Sequence, residues 1–200
     1  MKPIDNWMLV FIIWLSVLCF FGIVGNLLIF FYFPRNETQF GASTVFIQQL
    51  ALVDLVTCIA VIPYTITYEL AIVRNTIICK TMQFVRYFLI LTSLLTLFSI
   101  AAERYLGICR TSDIFSKGKI LKVIAGNLIV SLVFSVPTFL VYKVQRIDYS
   151  EGYSISTCSL ISGQGLLIFN VIFLLGFVLV IAVMCGLYIN MYKVVLDNTS

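Results

Sequence analysis

Long runs of apolar residues, broken by short polar segments, make up most of this chain. Five runs stand out, over residues 7–33, 44–68, 77–108, 120–142 and 166–192. Each exceeds the roughly 18–20 residues that a helix needs to cross the hydrocarbon core of a bilayer. The pattern therefore predicts five membrane-spanning helices, named span one to span five in chain order.

The composition agrees with this pattern, because 61% of the residues are hydrophobic and only 11% are charged, against roughly 25% charged in soluble domains. We therefore predict an all-α membrane protein in which residues 1–200 form a single transmembrane helix bundle. The first run could instead belong to a cleaved signal peptide, whose apolar region normally covers about 7–15 residues. This run is longer and rich in Phe, Trp, Ile and Leu, which favours a retained span.

Charge and motifs exclude two classes of function. The net charge of +4 is too small and too dispersed for a nucleic-acid partner. Enzymatic chemistry is not expected, because the chain has no histidine and no glycine-rich phosphate loop. It also has no acid pair or Cys–His arrangement that would suggest a nucleophile or a metal centre.

The distribution of Lys and Arg suggests an orientation. Five spans place the chain ends on opposite sides of the membrane, and basic residues are enriched on the cytoplasmic side. If the N-terminus is extracellular, the cytoplasmic side carries slightly more Lys and Arg than the outer side, as this rule requires. The cytoplasmic set is then Arg35, Arg104, Arg110, Lys117, Lys119, Lys122 and Lys193, and the outer set is Lys2, Arg74, Lys80, Lys143 and Arg146.

The loop between spans four and five, about residues 143–163, has a different pattern. Apolar and polar residues partly alternate over 142–147 and again over 153–160, and residues 148–152 carry turn-forming types. This pattern predicts a β-hairpin over the outer mouth of the bundle.

Six cysteines are present, and four lie within spans or at their inner edge. Buried thiols of that kind usually behave as small hydrophobic groups. Cys79 and Cys158 are the two on the predicted outer face, where oxidising conditions allow a disulfide. We expect them to form one, which would attach the hairpin to the top of span three; the alternative is two free thiols.

Several short motifs resemble one known family. Span one contains Gly25–Asn26 followed by Leu27, and span two contains a Leu-Ala-Leu-Val-Asp-Leu run that ends with Asp54 and Leu55. Span three has Cys79 near one end and Glu103–Arg104–Tyr105 at the other, roughly 37 Å apart along a helix. Together with Cys158, Pro137 and Tyr188, these residues resemble the first five of the seven helices of a rhodopsin-like (class A) G-protein-coupled receptor.

The chain departs from the family pattern at several positions and is identified as a divergent member. Asn127 stands where most members place tryptophan, Gln49 where they place asparagine, and Val180 where they place proline. The sequence stops shortly after span five, so the signatures of helices six and seven are missing. We interpret it as a fragment of a longer receptor, and the alternative is a truncated product.

The resemblance implies a polar core around Asp54. Ser93 and Asn26 lie at similar depth, and in the family such a cluster holds a sodium ion and water in the resting state. Asp54 and Ser93 are therefore candidate sodium ligands. The alternative is a protonated Asp54 that is hydrogen-bonded to Asn26 and Ser93, because an unpartnered carboxylate at this depth costs at least a few kcal/mol.

The resemblance also implies a switch for a heterotrimeric G protein. Arg104 would rest against Glu103 and extend towards the G protein on activation, with Tyr105 completing the triplet and Tyr188 stabilising the open state. The alternative is an interfacial Glu–Arg pair that only anchors the helix end. Lys117, Lys119 and Lys122 are candidates for contact with membrane lipid or the G protein.

Arg86 is the main candidate for ligand binding. It lies seven residues below Cys79, at the place where aminergic receptors carry an aspartate for the ammonium group of the ligand. A guanidinium there favours a carboxylate or another acceptor. Gln83 and Tyr87 are weaker candidates, and the alternative is an Arg86 that snorkels outward or pairs with Glu69.

The resulting hypothesis is a plasma-membrane receptor that couples an extracellular ligand to a heterotrimeric G protein. The ligand is expected to be a peptide or an acidic small molecule rather than an amine. Two alternatives are a truncated isoform that does not signal and a small multi-span transporter. A transporter would be expected to show internal repeats with interrupted helices, and the sequence shows neither.

Overall fold

A computed structural model describes residues 5–32, 42–109, 117–148, 154–161 and 164–197. Three basic residues used above to argue orientation, Lys2, Arg35 and Arg110, lie outside these ranges, as does most of the predicted hairpin turn.

Helices account for most of the described chain, and five helical segments are long and apolar enough to cross a membrane. This confirms the predicted all-α membrane fold. Span one is α1 and span three is α4, whereas spans two and four are each interrupted. The elements are α1 (Asn6–Tyr32), α2 (Ala42–Val56), a π-helical turn (Thr57–Val61), α3 (Ile62–Glu69), α4 (Thr76–Cys109), α5 (Lys117–Ser135), α6 (Thr138–Val141), β1 (Tyr142–Asp148), β2 (Ser154–Leu160) and α7 (Gln164–Asp197).

Helix α4 is the central element of the bundle. It packs against α2, α5, α6, α7 and β1, while α1 packs on span two. The buried residues therefore concentrate on α4 and its neighbours, and α1 buries none of its residues. Large apolar side chains cover the outward faces of α1, α5 and α7, as expected where the surrounding solvent is lipid.

Two prolines mark the interruptions in spans two and four. Pro63 is the second residue of α3, just after the π-helical turn, and Pro137 lies in the break between α5 and α6. Proline has no backbone N–H and its ring crowds the carbonyl four residues earlier, so a regular helix ends or changes its winding there. The structure accordingly has a local irregularity at each proline.

The predicted β-hairpin is present. Strands β1 and β2 pair in antiparallel register from Tyr142↔Leu160 to Asp148↔Ser154, with Val144 opposite Cys158. Because β1 also packs on α4, the hairpin covers one end of the bundle. This end is called the disulfide end, and the opposite end of α4, which carries Glu103 and Arg104, is called the acid–arginine end.

Candidate functional site

The disulfide end is organised by the start of α4. The side-chain Oδ1 of Asn75 accepts hydrogen bonds from the backbone N–H groups of Ile77 and Ile78, at 2.8 and 3.3 Å, which caps the helix. Cys79 therefore lies in the first turn and forms the expected disulfide with Cys158, with a Cα–Cα distance of 5.6 Å. Both cysteines are buried, so the bridge fixes β2 to α4.

A hydrogen-bonded group below the disulfide joins three elements. The Tyr87 hydroxyl on α4 lies 3.0 Å from the Tyr142 hydroxyl on β1 and donates to Oδ1 of Asn170 on α7, at 2.9 Å. Burial raises the pKa of the Tyr142 phenol, and its hydrogen bond with Tyr87 raises it further. Tyr142 therefore stays protonated at neutral pH and keeps the bond intact.

Arg86 lies beside this group, one residue before Tyr87. It is part-buried, and among the described residues it forms no ion pair, so the alternative pairing with Glu69 is not observed. Its guanidinium lies within electrostatic range of the phenols of Tyr64, Tyr68 and Tyr142. A part-buried cation that has no carboxylate partner among the described residues is suited to binding an anion.

Gln83 is more deeply buried than a ligand-contacting residue would need to be. It is 2% exposed, and its Nε2 lies 4.0 Å from the Cys158 sulfur. Within the described residues, neither its Oε1 nor the hydroxyl of Tyr64, which is 6% exposed, has a hydrogen-bond partner of good geometry, although the two side chains lie close enough to interact with each other. These two groups lie beneath the disulfide, next to the phenols around Arg86.

Sequence reasoning missed four residues near Arg86 and Tyr87, namely Tyr64, Tyr68, Tyr142 and Asn170. Tyr64 and Tyr68 are four residues apart near the end of span two, so a helical reading would have placed both on one face. Tyr142 and Asn170 carry no comparable signal, because only the folded hairpin and α7 bring them to Tyr87.

The predicted polar core is only partly assembled. Ser93 donates to Asp54 Oδ1 at 3.4 Å, whereas the Asn26 amide donates to the Gly22 carbonyl of its own helix, at 2.9 Å. Two oxygen ligands are fewer than a hard cation takes. Within the described residues no three His, Cys, Asp or Glu side chains converge on a possible metal site, so these residues by themselves do not fit a complete cation shell.

At the acid–arginine end, the Glu103 carboxylate has two partners. It accepts a hydrogen bond from the Ser43 hydroxyl at the start of α2, and Arg104 Nε lies 3.7 Å from it. Arg104 is 56% exposed and Glu103 is 20% exposed. The acid is thus held against span two, while the guanidinium remains accessible.

Arg104 and Tyr188 line the same depression between α4 and α7. Its volume is about 580 Å³, and the other lining residues are Ile100, Ile108, Met191, Tyr192 and Val195. The structure therefore brings together two of the residues assigned to the switch. Tyr105 is part-buried and is not part of this lining.

Comparison with known proteins defines the class. Residues 25–200 match the 7 transmembrane receptor (rhodopsin family), so the chain belongs to this family. Membership confirms the resemblance inferred from the motifs. The family and the relatives named below are receptors and not enzymes.

The curated relatives that the chain matches include receptors named for peptides. The chain is 30% identical over 136 residues to neuropeptide Y receptor type 6 of Mus musculus, covering 64% of this chain and 36% of the relative. It is 27% identical over 143 residues to the QRFP-like peptide receptor of Branchiostoma floridae, covering 68% and 38%. It is 28% identical over 127 residues to cholecystokinin receptor type A of Oryctolagus cuniculus, covering 61% and 30%. The chain thus spans well under half the length of these relatives.

Proposed function

We propose that the complete protein is a plasma-membrane receptor that responds to an extracellular peptide with an acidic group and activates a heterotrimeric G protein. The observation that carries this proposal is the layout of α4. One continuous helix of 34 residues carries Arg86 beneath the hairpin and the Glu103–Arg104 pair near its other end, and Arg86 forms no ion pair within the described residues. The separation of 18 positions between the two arginines corresponds to about 27 Å of helix.

The disulfide supports an extracellular position for the hairpin end. Disulfides persist in oxidising environments and are rare in the cytosol. With Cys79–Cys158 outside, the N-terminus is extracellular and Arg104 faces the cytosol.

The ligand class follows from the surroundings of Arg86. A guanidinium without a carboxylate partner repels an ammonium and attracts a carboxylate. The similarity to receptors named for peptides favours a peptide, and an acidic small molecule is the second candidate. Tyr87 would line the same site. Gln83 would contact the disulfide that attaches the hairpin above the site, rather than the ligand.

At the other end, Arg104 is the group proposed to contact the G protein. In the resting state Glu103 is held by Ser43 and by Arg104 itself. Release of this carboxylate would free the guanidinium, and Tyr188 lies in the same depression to meet it. A sodium ion at Asp54 and Ser93 remains a proposal that requires further ligands from outside the described residues.

The ligand assignment can be tested with Arg86→Ala in the complete receptor. Two pools of peptides are compared, one with Asp and Glu side chains and one in which each of these carboxylates is replaced by its amide. Loss of a desolvated charge partner costs about 2 kcal/mol or more. We therefore expect potency of the carboxylate peptides to fall by about 30-fold, and Arg86→Lys to retain part of it. Arg74→Ala, an exposed cation at the same end, is the matched control. Equal responses to both pools in the native receptor would contradict an acidic ligand.

The switch assignment can be tested with Arg104→Ala. We expect loss of ligand-stimulated nucleotide exchange on the G protein. The amount of receptor at the cell surface should stay normal, because the guanidinium is largely exposed and its removal leaves no buried polar group without a hydrogen-bond partner. Lys193→Ala removes an exposed cation of α7 near the same end of the bundle and should leave exchange intact. Undiminished exchange in the Arg104 variant would refute the assignment.

A further inference from the structure

Two cysteines meet where α1 packs on span two. The Cys19 thiol donates a hydrogen bond to the Cys58 carbonyl, with a sulfur–oxygen distance of 3.1 Å, and the two side chains lie close enough to interact directly. Cys58 is 7% exposed and Cys19 is half-buried. Both belong to membrane-spanning segments, and neither belongs to the ligand site or to the switch described above.

The interruption in span two explains why the Cys58 carbonyl needs a donor. In an α-helix this carbonyl would accept from the backbone N–H of Ile62, four residues later. Here the Ile62 N–H donates to the Thr57 carbonyl, five residues earlier, as in a π-helix. The residue five positions after Cys58 is Pro63, which has no N–H. The Cys19 thiol therefore takes the place of the missing main-chain donor.

Gly22 brings the second sulfur into the same contact. A Cβ atom at Gly22 would lie 2.6 Å from the Cys58 sulfur, so this sulfur lies against the bare backbone of α1. Cys19 is three residues before Gly22, and residues three apart share one face of a helix. The two thiols thus lie in the same small area between α1 and span two, with no side chain at position 22 to separate them.

We propose that Cys19 and Cys58 are a dithiol pair that an alkyl hydroperoxide closes into a second disulfide, which joins α1 to span two. The oxidant is apolar because both thiols lie inside membrane-spanning segments. A hydroxyl at position 19 would serve as well as a donor, because a thiol is the weaker donor of the two. Two thiols in contact add a reaction that hydroxyls lack, which is oxidation to a covalent bond.

One hydroperoxide oxidises the two thiols. The sulfur of Cys19, the less buried thiol, attacks the terminal peroxide oxygen and the O–O bond breaks. The thiol proton leaves with the alkoxide as an alcohol, and Cys19 becomes a sulfenic acid. The Cys58 sulfur then displaces the hydroxyl group, which leaves with the Cys58 proton as water, and the S–S bond forms. Contact between the side chains favours this second step, because it is effectively intramolecular.

Closing the pair exchanges one link between the helices for another. The S–H of Cys19 is consumed, so the Cys58 carbonyl loses its donor, while α1 becomes covalently attached to span two. A buried carbonyl without a partner is unfavourable. This cost favours the reduced pair, and we therefore expect the bridge to be reversible.

The test uses the complete receptor in nanodiscs of a saturated phosphatidylcholine, treated with cumene hydroperoxide. After free thiols are alkylated in denaturant, mass spectrometry of unreduced peptides should find Cys19 linked to Cys58, and dithiothreitol should remove the link. Cys19→Ser should abolish the link but keep the melting temperature of the reduced receptor, because its hydroxyl can still donate to the Cys58 carbonyl. Cys185→Ser, which removes a free thiol of α7, is the matched control and should retain the link.

Two results would overturn the proposal. The first is failure of both the hydroperoxide and copper–phenanthroline, a catalyst of thiol oxidation by oxygen, to link the two cysteines, because thiols in contact would be joined by either reagent. The second is a link formed by copper–phenanthroline alone, with the hydroperoxide leaving both thiols reduced or oxidising them singly to sulfinic acids. Cys19 would then be only a hydrogen-bond donor.

Discussion

At the scale of single residues, Ser43 changes the interpretation of the Glu103–Arg104 pair. An ion pair with an exposed Arg contributes about 0–1 kcal/mol, and Arg104 is 56% exposed. A hydrogen bond from a buried hydroxyl to a carboxylate contributes more, about 1.5–3 kcal/mol, and Ser43 is buried. The resting position of Glu103 therefore depends more on Ser43 than on its neighbour.

We expect Ser43→Ala to raise nucleotide exchange in the absence of ligand, because Glu103 loses its contact with span two and restrains Arg104 less. The measurement is basal exchange by the complete receptor, normalised to receptor at the surface. Ser16→Ala is the control, since within the described residues the Ser16 hydroxyl donates to the Ile12 carbonyl of its own helix. A basal rate equal to that of the native receptor would show that Ser43 has no restraining role.

Sequence reasoning located the charged and reactive residues but not their partners. Arg86, Glu103 and Arg104 stand out because charges in apolar runs are rare. Ser43 and Tyr142 do not stand out, because hydroxyl-bearing residues occur throughout the spans. Their roles depend on contacts between residues that are distant in sequence.

At the scale of elements, the position of α1 depends on a glycine. A Cβ atom at Gly22 would lie 2.6 Å from the Cys58 sulfur in the π-helical turn. The thiol of Cys19, one turn earlier, donates to the Cys58 carbonyl at 3.1 Å. Small residues allow this kind of close helix contact in membranes.

We expect Gly22→Ala to destabilise the bundle by about 1–3 kcal/mol, the usual cost of overpacking, because α1 must move away from span two. Thermal unfolding in nanodiscs measures this. Gly25→Ala is the matched control, since its Cβ would meet nothing within 4 Å, and it should leave stability unchanged or slightly increased. Equal melting temperatures for the two variants would show that the contact does not hold α1 in place.

Span four shows how a departure from the family pattern is accommodated. Asn127, in the position where tryptophan is usual, donates through Nδ2 to Ser99 Oγ at 3.0 Å and to the Leu95 carbonyl at 3.3 Å. Hydrogen bonds thus join spans three and four where an aromatic ring would pack. The sequence identified the departure, but the partners on α4 became apparent only in the folded bundle.

At the scale of the whole molecule, five spans place residues before Asn6 and after Asp197 on opposite sides of the membrane. We expect a tag at the N-terminus to bind antibody on intact cells and a tag after residue 200 to bind only after permeabilisation. The reverse pattern would contradict the orientation proposed from the disulfide. Accessibility of both tags on intact cells would contradict five spans.

The sequence by itself determined the class of the molecule. Bilayer thickness and the cost of burying polar groups in lipid leave few alternatives to helices for long apolar runs, so the spans and the hairpin could be inferred locally. Only the tertiary structure decided the Ser43–Glu103 contact and the hydrogen bonds of Tyr87 with Tyr142 and Asn170. Each depends on how the helices rotate and approach one another, and this is set by packing between distant residues, which local patterns do not encode.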